Sequence, residues 1–134
     1  MKNSKKILAI DDDRNFLVSI TALLESMKYK VVTAENPKEG LAKLVKEEPD
    51  LILLDIMMDS LFDGFSLCHV IKTDKEYSAY KNTPIIFVSA VKDKAGSRFQ
   101  FESQSQGLVG PDDYLDKPVR PQELLEHIER QLNV

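Results

Sequence analysis

Short apolar runs alternate along the chain with segments in which apolar residues recur at helical spacing. The apolar residues of each run are consecutive, which is typical of parallel strands that helices cover on both faces. The runs are also shorter than an ordinary helix. The pattern therefore predicts five strands, at 7–10, 31–32, 51–54, 85–88 and 114–115.

The segments between these strands carry apolar residues three or four positions apart, the spacing of one helix face. Asn36-Pro37-Lys38-Glu39 has the composition of a helix start, with Asn as the N-cap, Pro in the first turn and Glu three residues after the cap. Pro121 marks the start of the last helix. Five helices are predicted, with apolar stripes within 16–27, 41–45, 65–71, 93–106 and 124–132.

Alternating strands and helices in one domain predict an α/β fold with right-handed crossovers. We expect a flavodoxin-like, doubly wound sheet of five parallel strands with five helices. Its strand order would be 2-1-3-4-5, the common arrangement for five strands. The whole chain, residues 1–134, is expected to form this single domain.

Composition narrows the function classes. The 18 Lys and Arg against 22 Asp and Glu give a net charge of −4, which argues against nonspecific binding to nucleic acid or to anionic membranes. The single cysteine, Cys68, excludes an intrachain disulfide and fits a reducing cytosol. No apolar stretch approaches the length of a membrane span. We therefore expect a soluble cytoplasmic protein.

Chemically active side chains follow four of the predicted strands. Ligands of open α/β sheets bind beyond the carboxyl ends of the strands, near the point where the strand order reverses. Carboxylates gathered there repel one another unless a cation intervenes, and Mg²⁺ suits a few carboxylates together with water and a phosphate oxygen. A lysine and a hydroxyl complete what phosphoryl transfer needs. The residues at these strand ends are Asp11, Asp12, Asp13, Asp55, Ser89 and Lys117.

Each of these residues, taken alone, has an ordinary structural interpretation. Asp13 stands where the first helix begins and is expected to be its N-cap. A serine at a strand end is commonly a turn residue, and a lysine before proline is commonly a solvated charge. The convergence of four strand ends favours the functional interpretation for the others. Cys68, His69 and His127 are expected to be ordinary core and helix residues.

The sequence resembles the receiver domain of two-component response regulators, of the stand-alone type similar to chemotaxis regulators, over essentially its whole length. The resemblance is specific because five motifs occur in order and at suitable spacing. They are ILAIDDD at 7–13, LILLDIMM at 51–58, DGF at 63–65, PIIFVSA at 84–90 and DDYLDKPV at 112–119.

The resemblance implies that Asp55 accepts a phosphoryl group in a Mg²⁺-dependent reaction. Asp12 and Asp55 would bind the metal directly and Asp11 largely through water, with the main-chain carbonyl of Met57 as a further ligand. Lys117 would contact the phosphoryl group, and its bond to the following proline would be cis. The switch residues would be Ser89, through its hydroxyl, and Tyr114, through its ring.

Three features depart from the family pattern. Asp59 stands where the family usually has proline, four residues after the phosphoacceptor. One extra residue precedes Gly64, so the 59–64 loop is expected to be reshaped. The interval from Ser89 to Lys117 is 28 residues, several more than usual, and the excess falls in the polar segment 102–111. The predicted fourth helix, which is often part of the output surface, lies beside this excess.

The function expected is phosphotransfer from a sensor histidine kinase or a histidine phosphotransfer protein, followed by a conformational change that signals to a protein target. The sequence does not identify this target. No nucleic-acid or membrane partner is expected, and no DNA-binding effector domain is expected in these residues.

One alternative is a binding module of the same fold that works without phosphorylation. Another is a phosphatase of the haloacid-dehalogenase type, which Met57 disfavours because that position needs a second aspartate. A dinucleotide-binding enzyme is disfavoured by the lack of a Gly-x-Gly-x-x-Gly motif after the first strand.

Overall fold

A computed structural model describes residues 4–56, 58, 63–89 and 109–133. These residues contain one parallel sheet with the strand order β2-β1-β3-β4-β5, which confirms the predicted fold class and order. The strands are β1 (Lys6–Ile10), β2 (Lys30–Ala34), β3 (Leu51–Asp55), β4 (Ile85–Ser89) and β5 (Asp113–Asp116).

Four of the five predicted helices lie within the described residues. They are α1 (Arg14–Ser26), α2 (Pro37–Glu47), α3 (Asp63–Thr73) and α4 (Pro121–Leu132). The helix predicted over 93–106 lies outside the described residues, and so does most of the 102–111 segment. The structure adds a 3₁₀ helix, Lys75–Tyr80, which the sequence pattern did not predict.

Alternate residues of the strands point to opposite faces of the sheet, and the buried core accordingly forms two layers. Side chains of α2 and α3, such as Leu44 and Phe65, cover one face, where they pack against Ile10, Leu54 and Phe87. The other layer belongs to α1 and α4 and contains Leu17, Ile20, Leu24, Leu124 and Ile128, packed on the intervening strand residues. In the described part of the chain, helices cover both faces of the sheet and the strand ends are where ligands can reach it.

The predicted helix starts are correct. The Asp13 carboxylate accepts a hydrogen bond from the backbone N–H of Phe16 at 3.2 Å, so it caps α1. Asn36 caps α2 by accepting from Glu39 N at 2.8 Å, while the Glu39 carboxylate accepts from the backbone N–H of Glu35 at 2.9 Å. These caps satisfy backbone donors that the first turn of a helix leaves without partners.

The residues predicted to be structural are indeed held in structural contacts. Cys68 is fully buried in the α2 and α3 layer. His69 accepts a hydrogen bond from the backbone N–H of Val109 at 2.9 Å, and the ring of His127 lies 2.7 Å from the Asp113 carboxylate. Among the described residues, no helix has the length and apolar character needed to cross a bilayer.

Candidate functional site

Three aspartates meet at the carboxyl edge of the sheet. Asp11 and Asp12 directly follow β1, and Asp55 is the last residue of the neighbouring strand β3. One carboxylate oxygen of each lies within 4.8 Å of the others. The strand order explains this approach, because it makes β1 and β3 neighbours that end at the same edge.

Burial divides the three carboxylates. Asp11 and Asp55 are 2% and 7% exposed, whereas Asp12 is exposed to solvent. The Asp11 carboxylate also accepts a hydrogen bond from the backbone N–H of Asp13 at 2.9 Å, which fixes its orientation. The arrangement gathers negative charge in a crevice with one open side, and such a crevice attracts cations.

Lys117 supplies a positive charge to this crevice. Its Nζ lies 2.7 Å from the Asp11 carboxylate, although 106 residues separate the two in sequence. The backbone N–H of Lys117 donates to the carbonyl oxygen of Ser89 at 2.7 Å, which fixes the loop after β5 to the end of β4. The Lys117–Pro118 bond is cis, as the resemblance implied.

Phe16 contacts the same ammonium group. The Lys117 Nζ lies over the Phe16 ring, 4.2 Å from its centroid. The sequence pattern placed Phe16 only in the apolar stripe of the first helix. Its contact with Lys117 depends on how the loop after β5 crosses α1, which no local pattern reveals.

Ser89 and Tyr114 occupy neighbouring strands. Ser89 ends β4, is 6% exposed and pairs in register with Asp116 of β5. The Tyr114 ring packs edge-to-face on Phe87 with centroids 5.6 Å apart, and Phe87 packs in the same way on Phe65 at 5.1 Å. An aromatic row thus connects β5 through β4 to α3, directly beneath the carboxyl edge.

Gly64 brings α3 against the end of β3. A Cβ at this position would lie 2.5 Å from the Cα of Ile56 and would overlap the carbonyl oxygen of Asp55. The Gly64 N–H donates to the Ile56 carbonyl at 2.9 Å. Only glycine allows this approach. The sequence analysis had singled out Gly64 as part of the DGF motif at 63–65, without predicting its contact with β3.

The three aspartates, which we call the acidic group, fit Mg²⁺. All the donors are carboxylate oxygens, the ligand type that Mg²⁺ prefers, and they lie within 4.8 Å of one another. Exposed Asp12 leaves the open side to water and to a phosphate oxygen. Met57, whose carbonyl the resemblance named as a ligand, lies outside the described residues, as do Asp59 and the rest of the 59–62 loop.

An open groove of about 530 Å³ runs beside the site along α1. Its lining is mainly apolar, and both Phe16 and Lys117 contribute to its wall. The other lining residues are Asp13, Asn15, Ser19, Ile20, Leu23, Pro118 and Val119.

Comparison with known proteins places this geometry in context. A family model described as the response regulator receiver domain matches residues 7–129. The chain is 37% identical to the protein PilG of Pseudomonas aeruginosa over 120 residues, covering 90% of this chain and 82% of PilG. It is 33% identical to the protein RcaC of Microchaete diplosiphon over 128 residues, covering 95% of this chain but only 18% of RcaC.

Solved structures show the same fold. The chemotaxis response regulator CheY4 of Vibrio cholerae superposes with a TM-score of 0.79 at 29% identity, covering 97% of this chain and all of CheY4. A CheY-like receiver domain from Methanospirillum hungatei superposes with a TM-score of 0.77 at 32% identity, covering 98% of this chain and 95% of that one.

Proposed function

The chain belongs to the response regulator receiver domain family, and on that premise we propose that Asp55 is its phosphoacceptor. The donor would be a phosphohistidine on a sensor histidine kinase or on a histidine phosphotransfer protein. Residues 1–134 would form one cytoplasmic receiver domain that signals through a protein target.

The observation that carries this proposal is the position of Asp55. Asp55 is the last residue of β3, the central strand of the sheet, and its nearly buried carboxylate has an oxygen within 4.8 Å of both other carboxylates. This position supports Asp55 as the nucleophile, with Asp11 and Asp12 beside it to hold a metal ion.

The proposed reaction is a simple phosphoryl transfer. An Asp55 carboxylate oxygen attacks phosphorus, the phosphorus–nitrogen bond of the donor breaks, and its electron pair returns to the imidazole nitrogen, which takes up a proton. Bound Mg²⁺, which receiver domains use at such an acidic pocket, would neutralise charge on the phosphoryl oxygens. Asp11 and Asp12 would hold that ion.

The other residues of the site would then stabilise the acyl phosphate. Lys117, now 2.7 Å from Asp11, would move its flexible ammonium toward a phosphoryl oxygen. The Ser89 hydroxyl would donate to another oxygen. Because Ser89 pairs with β5 and Tyr114 packs on Phe87 of β4, such a movement would change the surface around β5 that a target protein reads.

The direct test is labelling with acetyl phosphate in the presence of Mg²⁺. Asp55→Asn keeps the shape of the side chain but removes the anionic nucleophile, so we expect an acid-stable but hydroxylamine-labile label on the wild type and none on the variant. Asp13→Asn is the matched control: it makes the same change at the same edge, and asparagine caps a helix as well as aspartate does, so labelling should persist.

Stoichiometric labelling of Asp55→Asn would overturn the assignment. A folded wild type that no phosphodonor labels would instead favour the alternative of a binding module that works without phosphorylation.

A further inference from the structure

We propose that Phe16 is a positioning residue whose ring holds the Lys117 ammonium at the acidic crevice. The inference rests on the role proposed above for Lys117. Without the ring, the ammonium would distribute between the crevice and the groove along α1.

Both ends of the contact are fixed by the backbone. Phe16 stands in the first turn of α1, where its N–H donates to the capping carboxylate of Asp13. The Lys117 N–H donates to the Ser89 carbonyl. The lysine side chain then reaches back between Asp11 on one side and the Phe16 ring on the other, at 2.7 Å and 4.2 Å.

The ring supplies an attraction that a merely apolar wall would lack. The face of an aromatic ring is electronegative and attracts an ammonium group, and the attraction grows as water is excluded. The Lys117 side chain is only 17% exposed, so the ring replaces water over part of the ammonium. A leucine of similar size would fill the space without this attraction.

The groove along α1 is a second position that the Lys117 ammonium could occupy. Phe16 and Lys117 both line it, and so does the carboxylate-bearing Asp13, which is exposed. A four-carbon lysine stem is flexible enough to reach either side. The ring therefore favours one position of the Lys117 ammonium, beside Asp11 inside the crevice. The competing positions lie outside the crevice, in solvent or beside Asp13.

This effect of the ring would matter most with a metal ion bound. Asp11 would then share its charge with the ion and would attract the Lys117 ammonium less strongly. The attraction of the ring persists because the ring carries no net charge to be neutralised. Phe16 thus keeps Lys117 near Asp55 in the state in which phosphoryl transfer takes place.

The experiment compares Phe16→Leu with Phe16→Tyr, which retains a ring, and with Ser19→Ala, a control elsewhere in the groove wall. In NMR spectra of the metal-free protein, the Lys117 Hε resonances should be shifted upfield by the ring in the wild type, in Phe16→Tyr and in Ser19→Ala. They should return to ordinary positions in Phe16→Leu. This measurement requires no phosphorylation, so it tests the contact even if the proposed function fails.

Two further measurements test the consequence. Lys117 and Mg²⁺ compete for Asp11, so Phe16→Leu should bind Mg²⁺ about 2- to 5-fold more tightly, measured by NMR titration with the metal alone. At saturating Mg²⁺ and acetyl phosphate, the phosphorylation rate of Phe16→Leu should fall by about 2- to 5-fold, and Phe16→Tyr should restore both values.

General loosening of the fold would weaken both metal binding and phosphorylation. Lys117 resonances that do not respond to Phe16→Leu, or metal binding that weakens together with the rate, would overturn the proposal.

Discussion

Two aspartate–lysine pairs at opposite ends of the sheet have nearly the same geometry and different surroundings. At the carboxyl edge, Asp11 pairs with Lys117 at 2.7 Å; at the amino edge, Asp112 pairs with Lys72 at 2.9 Å. Asp11 has two further carboxylates within 4.8 Å, whereas the described residues contain no second such group of three metal-binding side chains.

Asp112 is held by one backbone donor and one lysine. Its carboxylate accepts from the backbone N–H of Ile85 at 2.8 Å as well as from Lys72, and its own N–H donates to the Ile85 carbonyl at 2.8 Å. It therefore fastens the start of β5 to the start of β4 and to α3. Its negative charge is thus balanced in place by Lys72.

The difference shows how a functional ion pair is distinguished from a structural one. Asp11 and Lys117 form a pair inside an excess of like charge, so in the proposed function its partners would gain by exchanging each other for a metal ion and a phosphoryl group. Asp112 and Lys72 form a pair whose partners would gain nothing by separating. Neutralising the aspartate should therefore have different consequences at the two ends.

The largest contrast concerns metal affinity. Asp11→Asn removes a carboxylate proposed to hold the ion, so we expect Mg²⁺ affinity to fall about tenfold or more, while Asp112→Asn leaves it unchanged. NMR or calorimetric titration of both variants measures this. A loss of affinity in Asp112→Asn, or none in Asp11→Asn, would remove the distinction between the two pairs.

The two ends were also unequally predictable from sequence. Asp11, Asp12 and Asp55 follow apolar runs that are recognisable as buried strands, and parallel strands end at one edge, so local pattern and topology together predict their meeting. The pair of Lys72 and Asp112 spans 40 residues and depends on where the chain returns to the sheet. No pattern encodes that return.

The 3₁₀ helix and the ring of Phe16 escaped prediction for related reasons. Lys75–Tyr80 has no buried residue and hence no apolar period, and its start depends on the Asp74 carboxylate, which accepts from the backbone N–H of Glu76 at 2.8 Å. Phe16 fits a helical stripe equally well whether its ring meets the core or an ammonium. Contacts made by side chains across loops are set by the assembled fold.

The next contrast concerns stability. Asp112→Ala leaves the buried N–H of Ile85 without its carboxylate and Lys72 without its partner, so we expect the free energy of unfolding to fall by about 1–3 kcal/mol. Asp11→Ala likewise removes the partner of the Asp13 N–H and of Lys117, but it also relieves repulsion with Asp12 and Asp55, so we expect a smaller loss of stability. Urea unfolding in EDTA compares the two.

Added Mg²⁺ sharpens this test. The ion stabilises whichever folded protein binds it, so the wild type and Asp112→Ala should both gain stability and Asp11→Ala should gain less. Greater destabilisation by Asp11→Ala than by Asp112→Ala in EDTA would mean that the carboxyl-edge pair is the structural one.

The smallest contrast uses Cys68, which lies one turn before Lys72 on α3. Burial raises the pKa of its thiol to about 12; the Lys72 charge lowers that pKa and the Asp112 charge raises it. Because the folded pKa exceeds the ordinary value of 9.0, the contribution to stability is complete below pH 9 and is lost progressively as the pH rises toward 12. At pH 10 the loss is about 1.4 kcal/mol. The decline between pH 8 and pH 10 should be shallower by that amount in Cys68→Ala. Lys72→Met should raise the thiol pKa further, while Asp11→Asn should leave it unchanged, since Asp11 belongs to the other end of the sheet. The pH dependence of the unfolding free energy, compared with and without Cys68→Ala, measures both effects. A thiol pKa that responds to Asp11→Asn and not to Lys72→Met would show that the two ends are coupled and would contradict their separation.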